Sequence, residues 1–136
     1  MKQIELIIET PGRALIDISE QLNNLLSSEN IDQGIANIFL QHTSASLIIN
    51  ENADPTVLSD LETLISRLAP DGDPEYLHNY EGDDDMAAHV RAMLTSNSLM
   101  IPVRSGRLAL GTWQGVFLWE HRYRPHRRKL LISVLN

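Results

Sequence analysis

The chain has 136 residues, 43% of them apolar and 5% aromatic, with no cysteine and a net charge of −7. That length fits one domain over residues 1–136, with a core of Leu, Ile, Val and Ala. Disulfide stapling and thiolate chemistry are excluded, and the acidic balance argues against a general nucleic-acid coat protein. The charge is divided, however. Residues 1–100 carry four basic and seventeen acidic residues, and residues 101–136 carry seven basic and one acidic. A basic C-terminal part within an acidic chain suits a small anionic ligand or an acidic neighbour. No apolar run approaches the roughly 20 residues of a membrane span, and the start, MKQIELIIET, lacks the features of a signal peptide. The expectation is a soluble, cytoplasmic protein that binds neither membrane nor nucleic acid.

In chain order, Glu5–Glu9 is β-prone and Pro11-Gly12 marks a turn. Ile16, Ile18, Leu22, Leu25 and Leu26 recur at helical spacing, which predicts an amphipathic helix over 16–28. Residues 35–41 and 46–50 are strand-like. Asp54-Pro55 has the character of an N-cap followed by proline at the first helical position, and apolar spacing carries that helix to Ala69. Residues 70–85 hold seven acids and no Lys or Arg, a loop by composition. Asp83 or Asp84 is placed to cap a third helix containing Met86, Val90, Met93 and Leu94. Strands follow at 99–103, 107–110, 116–120 and 129–135. The pattern is α+β, a mostly antiparallel sheet with two or three helices.

Five polar groupings stand out. His42-Thr43-Ser44 joins two apolar strands, where a histidine serves as ligand or base, or the hydroxyls simply satisfy a turn. Asn50-Glu51-Asn52-Ala53-Asp54 follows a strand; Asp54 suffices for the cap, which leaves Glu51 to face a site. His78, Glu81, Asp83, Asp84, Asp85 and His89 offer ligand types for Zn²⁺ or another divalent ion, with Asp85 and His89 on one helical face. A solvated acidic loop with a local Asp–His pair is the other reading. Gly111-Thr112-Trp113-Gln114-Gly115 suits a phosphate or ring edge, or a tight turn. Trp113 and Trp119 are expected to pack. His121–Lys129 carries five bases, suiting a solvated hairpin or phosphate capture.

Together these segments resemble the YjbQ family, also known as the secondary thiamine-phosphate synthase family. The resemblance rests on His42-Thr43-Ser44-Ala45, Asn50-Glu51-x-x-Asp54, His78, Glu81-Gly82-x-Asp84-Asp85-Met86-x-x-His89 and Pro102. It continues through Gly106-Arg107-Leu108, Leu110-Gly111-Thr112-Trp113-Gln114 and Glu120. The basic stretch after Glu120, and Ala87 where Pro is frequent, depart from the family pattern. The resemblance implies a compact α+β subunit of a homotrimer. It also implies a transferase with weak thiamine-phosphate synthase activity, joining a thiazole phosphate alcohol to an activated pyrimidine.

On that footing a divalent metal (Zn²⁺ first, with Mn²⁺ or Mg²⁺ as others) is expected on His42, His78 and His89. Asp84 or Asp85 would orient a histidine, Glu51 would act as base, and Glu120 as a second acid or positioning group. His89 is expected in the catalytic set as well. Ser44, Thr112, Gln114 and Arg128 are the substrate-binding candidates, and the partner is a small phosphorylated substrate. A metal-dependent hydrolase or lyase of a phosphate ester, or a non-catalytic metabolite or metal binder, are the alternatives.

Overall fold

A computed structural model describes residues Met1–Asn136. Eight strands and three helices alternate as β1 (Lys2–Thr10), β2 (Ala14–Asp17), α1 (Ser19–Ser28), β3 (Gly34–Leu40), β4 (Ala45–Glu51), α2 (Pro55–Leu68), α3 (Asp85–Leu94), β5 (Ser98–Arg104), β6 (Arg107–Leu108), β7 (Gln114–Glu120) and β8 (His126–Leu135). All strand pairs are antiparallel. A five-stranded sheet runs β1-β8-β3-β5-β6, and a three-stranded sheet runs β2-β7-β4. The α+β expectation holds, with three helices.

The core lies between the sheets. Ile38, Leu40, Leu130, Ile132 and Val134 from the large sheet meet Leu47, Val116 and Leu118 from the small one. Each side chain follows the two-residue alternation of its strand. β7 departs from simple amphipathicity because both of its faces are covered. Val116 and Leu118 join the inter-sheet core, while Phe117 and Trp119 are buried on the opposite side, where Glu62 of α2 accepts from the Trp119 indole at 2.8 Å. Burial of one such aliphatic side chain is worth about 1.5–3 kcal/mol.

Helix α2 begins as expected: Asp54 accepts from Thr56 N at 2.9 Å, with proline next. Three elements differ from expectation. The helix predicted from residue 16 starts at Ser19, because Ala14–Asp17 pairs with Phe117–Glu120 along the free edge of β7. Asp84 does not cap α3; its carboxylate is taken by Arg122 Nε and Tyr123 N, both at 2.8 Å. The segment 121–129 is not a solvated hairpin, since His121 and Arg128 are buried and the strand begins already at His126. Of the two tryptophans, Trp119 packs, but Trp113 is 65% exposed. No helix is long and apolar enough to cross a membrane.

Gly12, at φ +114°, allows the β1–β2 turn to press against the 121–125 segment. A Cβ there would lie 2.4 Å from the Tyr123 carbonyl oxygen. The turn thereby delivers Arg13, whose guanidinium stacks 4.4 Å over the Tyr123 ring. It also grips both carboxylate oxygens of Asp71, at 2.7 and 2.9 Å. The acidic loop after α2 is tied to the sheet in this way.

Candidate functional site

Two linked clusters form at the Glu120 end of β7. The first stands on α3 and the loop before it. Asp85 Oδ2 lies 2.6 Å from His78 Nε2 and 3.3 Å from His89 Nε2, and the three ligand atoms fall within 4.8 Å of one another. The four-residue spacing of Asp85 and His89 puts them on one helical face. Asp85 is buried, and its Oδ1 receives Arg122 Nη1 at 2.5 Å. Burial works against its ionisation, but the hydrogen bond with His78 and the charge of Arg122 outweigh it and hold the carboxyl below its usual range. Asp85 in turn raises the pKa of His78.

The His89 ring is oriented by Nδ1–H donating to the Thr43 carbonyl at 3.0 Å. Its lone pair therefore sits on Nε2, the atom aimed at Asp85 Oδ2. Two lone pairs facing across 3.3 Å need a proton or a cation between them. A backbone carbonyl that fixes the far nitrogen of an imidazole is also the usual support of a ligand histidine. Ligands of a small divalent ion at about 2.1 Å sit roughly 3–3.5 Å apart. His89 Nε2 and Asp85 Oδ2 at 3.3 Å match that spacing, and His78 Nε2 would exchange its 2.6 Å hydrogen bond to Asp85 for the ion.

The second cluster is built on Glu120 and Arg128, which face the space between the sheets. Arg128 Nε donates to Glu120 Oε1 at 2.7 Å, and Nη2 binds Glu120 Oε2. Thr10 Oγ1 and Arg122 N complete the carboxylate at 2.8 and 3.1 Å. Burial opposes the charge on Glu120, yet these donors keep its pKa below normal. Ser44 takes Arg128 Nη2 on its hydroxyl at 3.0 Å and its carbonyl at 3.2 Å. On the other side of β7, His121 donates to or accepts from Ser46 Oγ at 2.8 Å, and burial pushes its pKa down to about 3. Arg122 joins the clusters, with its main chain on Glu120 and its side chain on Asp84 and Asp85.

The nine expected site residues therefore divide. His78 and His89 converge on Asp85, which takes His78 Nε2 at 2.6 Å, the contact expected of an orienting carboxylate, and also offers a third ligand atom. His42 does not join them. Its Nε2 accepts from Lys129 N at 2.8 Å and its Nδ1 faces Arg128 Nη1 at 3.3 Å, so neither ring nitrogen is offered to the His78–His89 pair. Ser44, Glu120 and Arg128 stand together beside it. Glu120 is fully buried and saturated with donors, which suits positioning and not proton transfer. Glu51, Thr112 and Gln114 lie elsewhere. Glu51 pairs with Gln114, while Ala45 at the other end of β4 pairs with Glu120, a separation of about 20 Å along the strand.

A polar cleft of about 480 Å³ opens at that far end, lined by Asp17, Asn23, Asn52, Arg107, Thr112 and Gln114 among others. Arg122, Thr10 and the Arg13–Asp71 clamp were missed as parts of the first end. For Arg128 a signal did exist: it shares the two-residue register of Leu130, Ile132 and Val134, so a charge was due to point into the core.

Comparison with known proteins agrees with this architecture. The sequence matches the family described as UPF0047 protein YjbQ-like over residues 3–136. A UPF0047 protein of Synechocystis sp. is 48% identical over 95% of this chain and 88% of its own length. UPF0047 protein YjbQ of Escherichia coli O157:H7 is 41% identical over 98% and 95%. A solved conserved hypothetical protein from Thermus thermophilus superposes with a TM-score of 0.87 at 34% identity, covering 97% of this chain and 99% of that one. A YjbQ/UPF0047 structure from Clostridium acetobutylicum gives 0.86 at 33%, covering 97% and 99%. Both clusters and the far cleft fall within the matched residues, and the chain belongs to the YjbQ (UPF0047) family.

Proposed function

We propose that the protein is a divalent-metal-dependent transferase for small phosphorylated substrates, with His78, Asp85 and His89 holding the ion. The observation that carries this reading is the apposition of His89 Nε2 and Asp85 Oδ2, two lone-pair atoms oriented towards each other beside His78. Two imidazoles and one carboxylate favour Zn²⁺ or a similar transition ion over Mg²⁺. When bound, such an ion supplies charge neutralisation for a departing pyrophosphate. An adjoining cleft of about 410 Å³ is lined by Tyr80, Glu81, Asp84, Arg122 and Arg124 among others. Arg122 is committed to Asp84 and Asp85, so Arg124 is the lining cation offered to a substrate phosphate. The family resemblance makes the coupling of a thiazole phosphate alcohol to a pyrimidine diphosphate the reaction to assay.

The same proposal includes a cytoplasmic homotrimer. Support comes from the outer face of the large sheet, where Ile35, flanked by Leu135 and Pro102, leaves an apolar row exposed together with Phe39 and Met100. Metal content by elemental analysis, with light scattering for mass, tests both. Near-stoichiometric metal is expected in the wild type and in His42→Phe, and its loss in His78→Ala, Asp85→Asn and His89→Ala. Coupling activity should disappear on chelation and return on reloading. Absence of metal from every preparation, even after added Zn²⁺ or Mn²⁺, overturns the ion. Turnover of simple phosphoesters without coupling replaces the transferase with a hydrolase.

A further inference from the structure

Beside the lone-pair cluster lies its converse, a place where donors face donors. Arg128 is 3% exposed, and its Nε and Nη2 are spent on Glu120 and Ser44. The two hydrogens of Nη1 have a single partner, His42 Nδ1 at 3.3 Å. Yet His42 Nε2 accepts the Lys129 backbone N–H at 2.8 Å, so the imidazole lone pair is on Nε2. A neutral imidazole has only one lone pair, which leaves the proton on Nδ1. The other tautomer would set Nε2–H against the Lys129 N–H at 2.8 Å. Protonating the ring would do the same, and both burial and Arg128 hold His42 below its usual pKa. With the Lys129 N–H on Nε2, Nδ1–H and the Nη1 hydrogens share a space with no protein acceptor in it.

We infer that His42 Nδ1–H and Arg128 Nη1 form an oxyanion subsite that takes one oxygen of a phosphate or pyrophosphate group. The surroundings favour an anion. Lys129 and His126 also act on the His42 ring, and Glu120, the one carboxylate among its charged neighbours, already receives two donors on each oxygen. The subsite adjoins the histidine–carboxylate set, because Thr43, the next residue after His42, accepts from His89. Acceptors converge on one side of Thr43 and donors on the other, an arrangement matched to a phosphate held between a cation and its own hydrogen-bond donors. Its assignment to a phosphorylated substrate rests on the function proposed above; binding of the anion does not.

The test is calorimetric titration of inorganic phosphate and pyrophosphate into the full-length protein kept in chelator. Binding should weaken about tenfold or more in His42→Phe. It should stay within about twofold in Arg127→Ala, whose side chain is 72% exposed and paired with Glu9. Nitrogen-15 spectra of the wild-type imidazoles provide a reading that needs no variant. His42 should be the Nδ1–H tautomer, and its Nδ1 signals should move on adding phosphate. An Nε2–H tautomer, an Nδ1 signal unmoved at saturating phosphate, or equal losses in the two variants overturns the subsite. Phosphate binding without metal uptake sinks the ion and spares the subsite, and metal uptake with no phosphate binding does the reverse.

Discussion

At the Glu120 end of β7, polar side chains are sealed in: Thr10, Ser46, Glu120, His121 and Arg128 are all buried and answered mainly by one another. At the Gln114 end, Thr112, Trp113 and Gln114 stand in solvent, and their contacts are local. Gln114 Oε1 accepts from Gly111 N at 2.8 Å, and Asn52 reaches two main-chain carbonyls at 3.3 Å. A buried network is expensive to leave half-made, so folding itself sets its geometry. An open cleft instead exchanges its partners with water and can adapt to what enters. One strand thus joins a rigid charge scaffold to a compliant polar surface.

Acid should break the contrast most strongly. Folded His121 titrates near 3 because burial disfavours its charge, whereas unfolded it titrates near about 6.5. The unfolded chain binds the extra proton, so this contribution to stability is complete above about pH 6.5 and is lost as the pH falls towards 3. The full loss is on the order of 5 kcal/mol, and protonation of Glu120, whose donors hold it below its ordinary range, adds to it. Denaturation followed across pH should show this slope and His121→Gln should flatten it. Hydrogen exchange near pH 4 should open amides 119–121 before 114–116.

Next in size is Arg128→Met. It strands the Glu120 carboxylate in the core, and urea denaturation should register a loss of about 3–5 kcal/mol, much of it regained in the double variant with Glu120→Leu. Smaller again is Asn23→Ala at the opposite end. There the Asn23 side chain accepts the buried Leu108 N–H at 2.9 Å. Its loss should amount to about 1–3 kcal/mol while metal uptake is unchanged. If Asn23→Ala proved as damaging as Arg128→Met, the two ends would not differ in the way described.

The sequence showed most of the framework. Apolar spacing marked α2 and α3, Asp54-Pro55 marked a true cap, and the strand-like run 129–135 marked most of β8. Ile16 misled, since helical spacing with Leu22 and Leu26 concealed its pairing with Leu118 across an edge. For the site, Asp85 and His89 were legible because they are neighbours on one helix turn. That His78 meets them, that His42 turns to Lys129 instead, and that Glu51 sits at the far end depend on tertiary placement. No spacing along the chain encodes those distances.

The alternation along β7 has a consequence for how the chain avoids misfolding. Val116, Leu118 and Glu120 point between the sheets, and Phe117, Trp119 and His121 point towards α2. A slip of one position against β2 or β4 would exchange the two sets. An aliphatic strand tolerates such a slip, because Val, Leu and Phe are nearly interchangeable in an oily interior. Here the slip would carry the Glu120 carboxylate away from Arg128 and leave His121 against a guanidinium. The ionic residues at the end of β7 therefore act as a key that fits one alignment, and a misregistered chain is rejected by charge before any ligand is present.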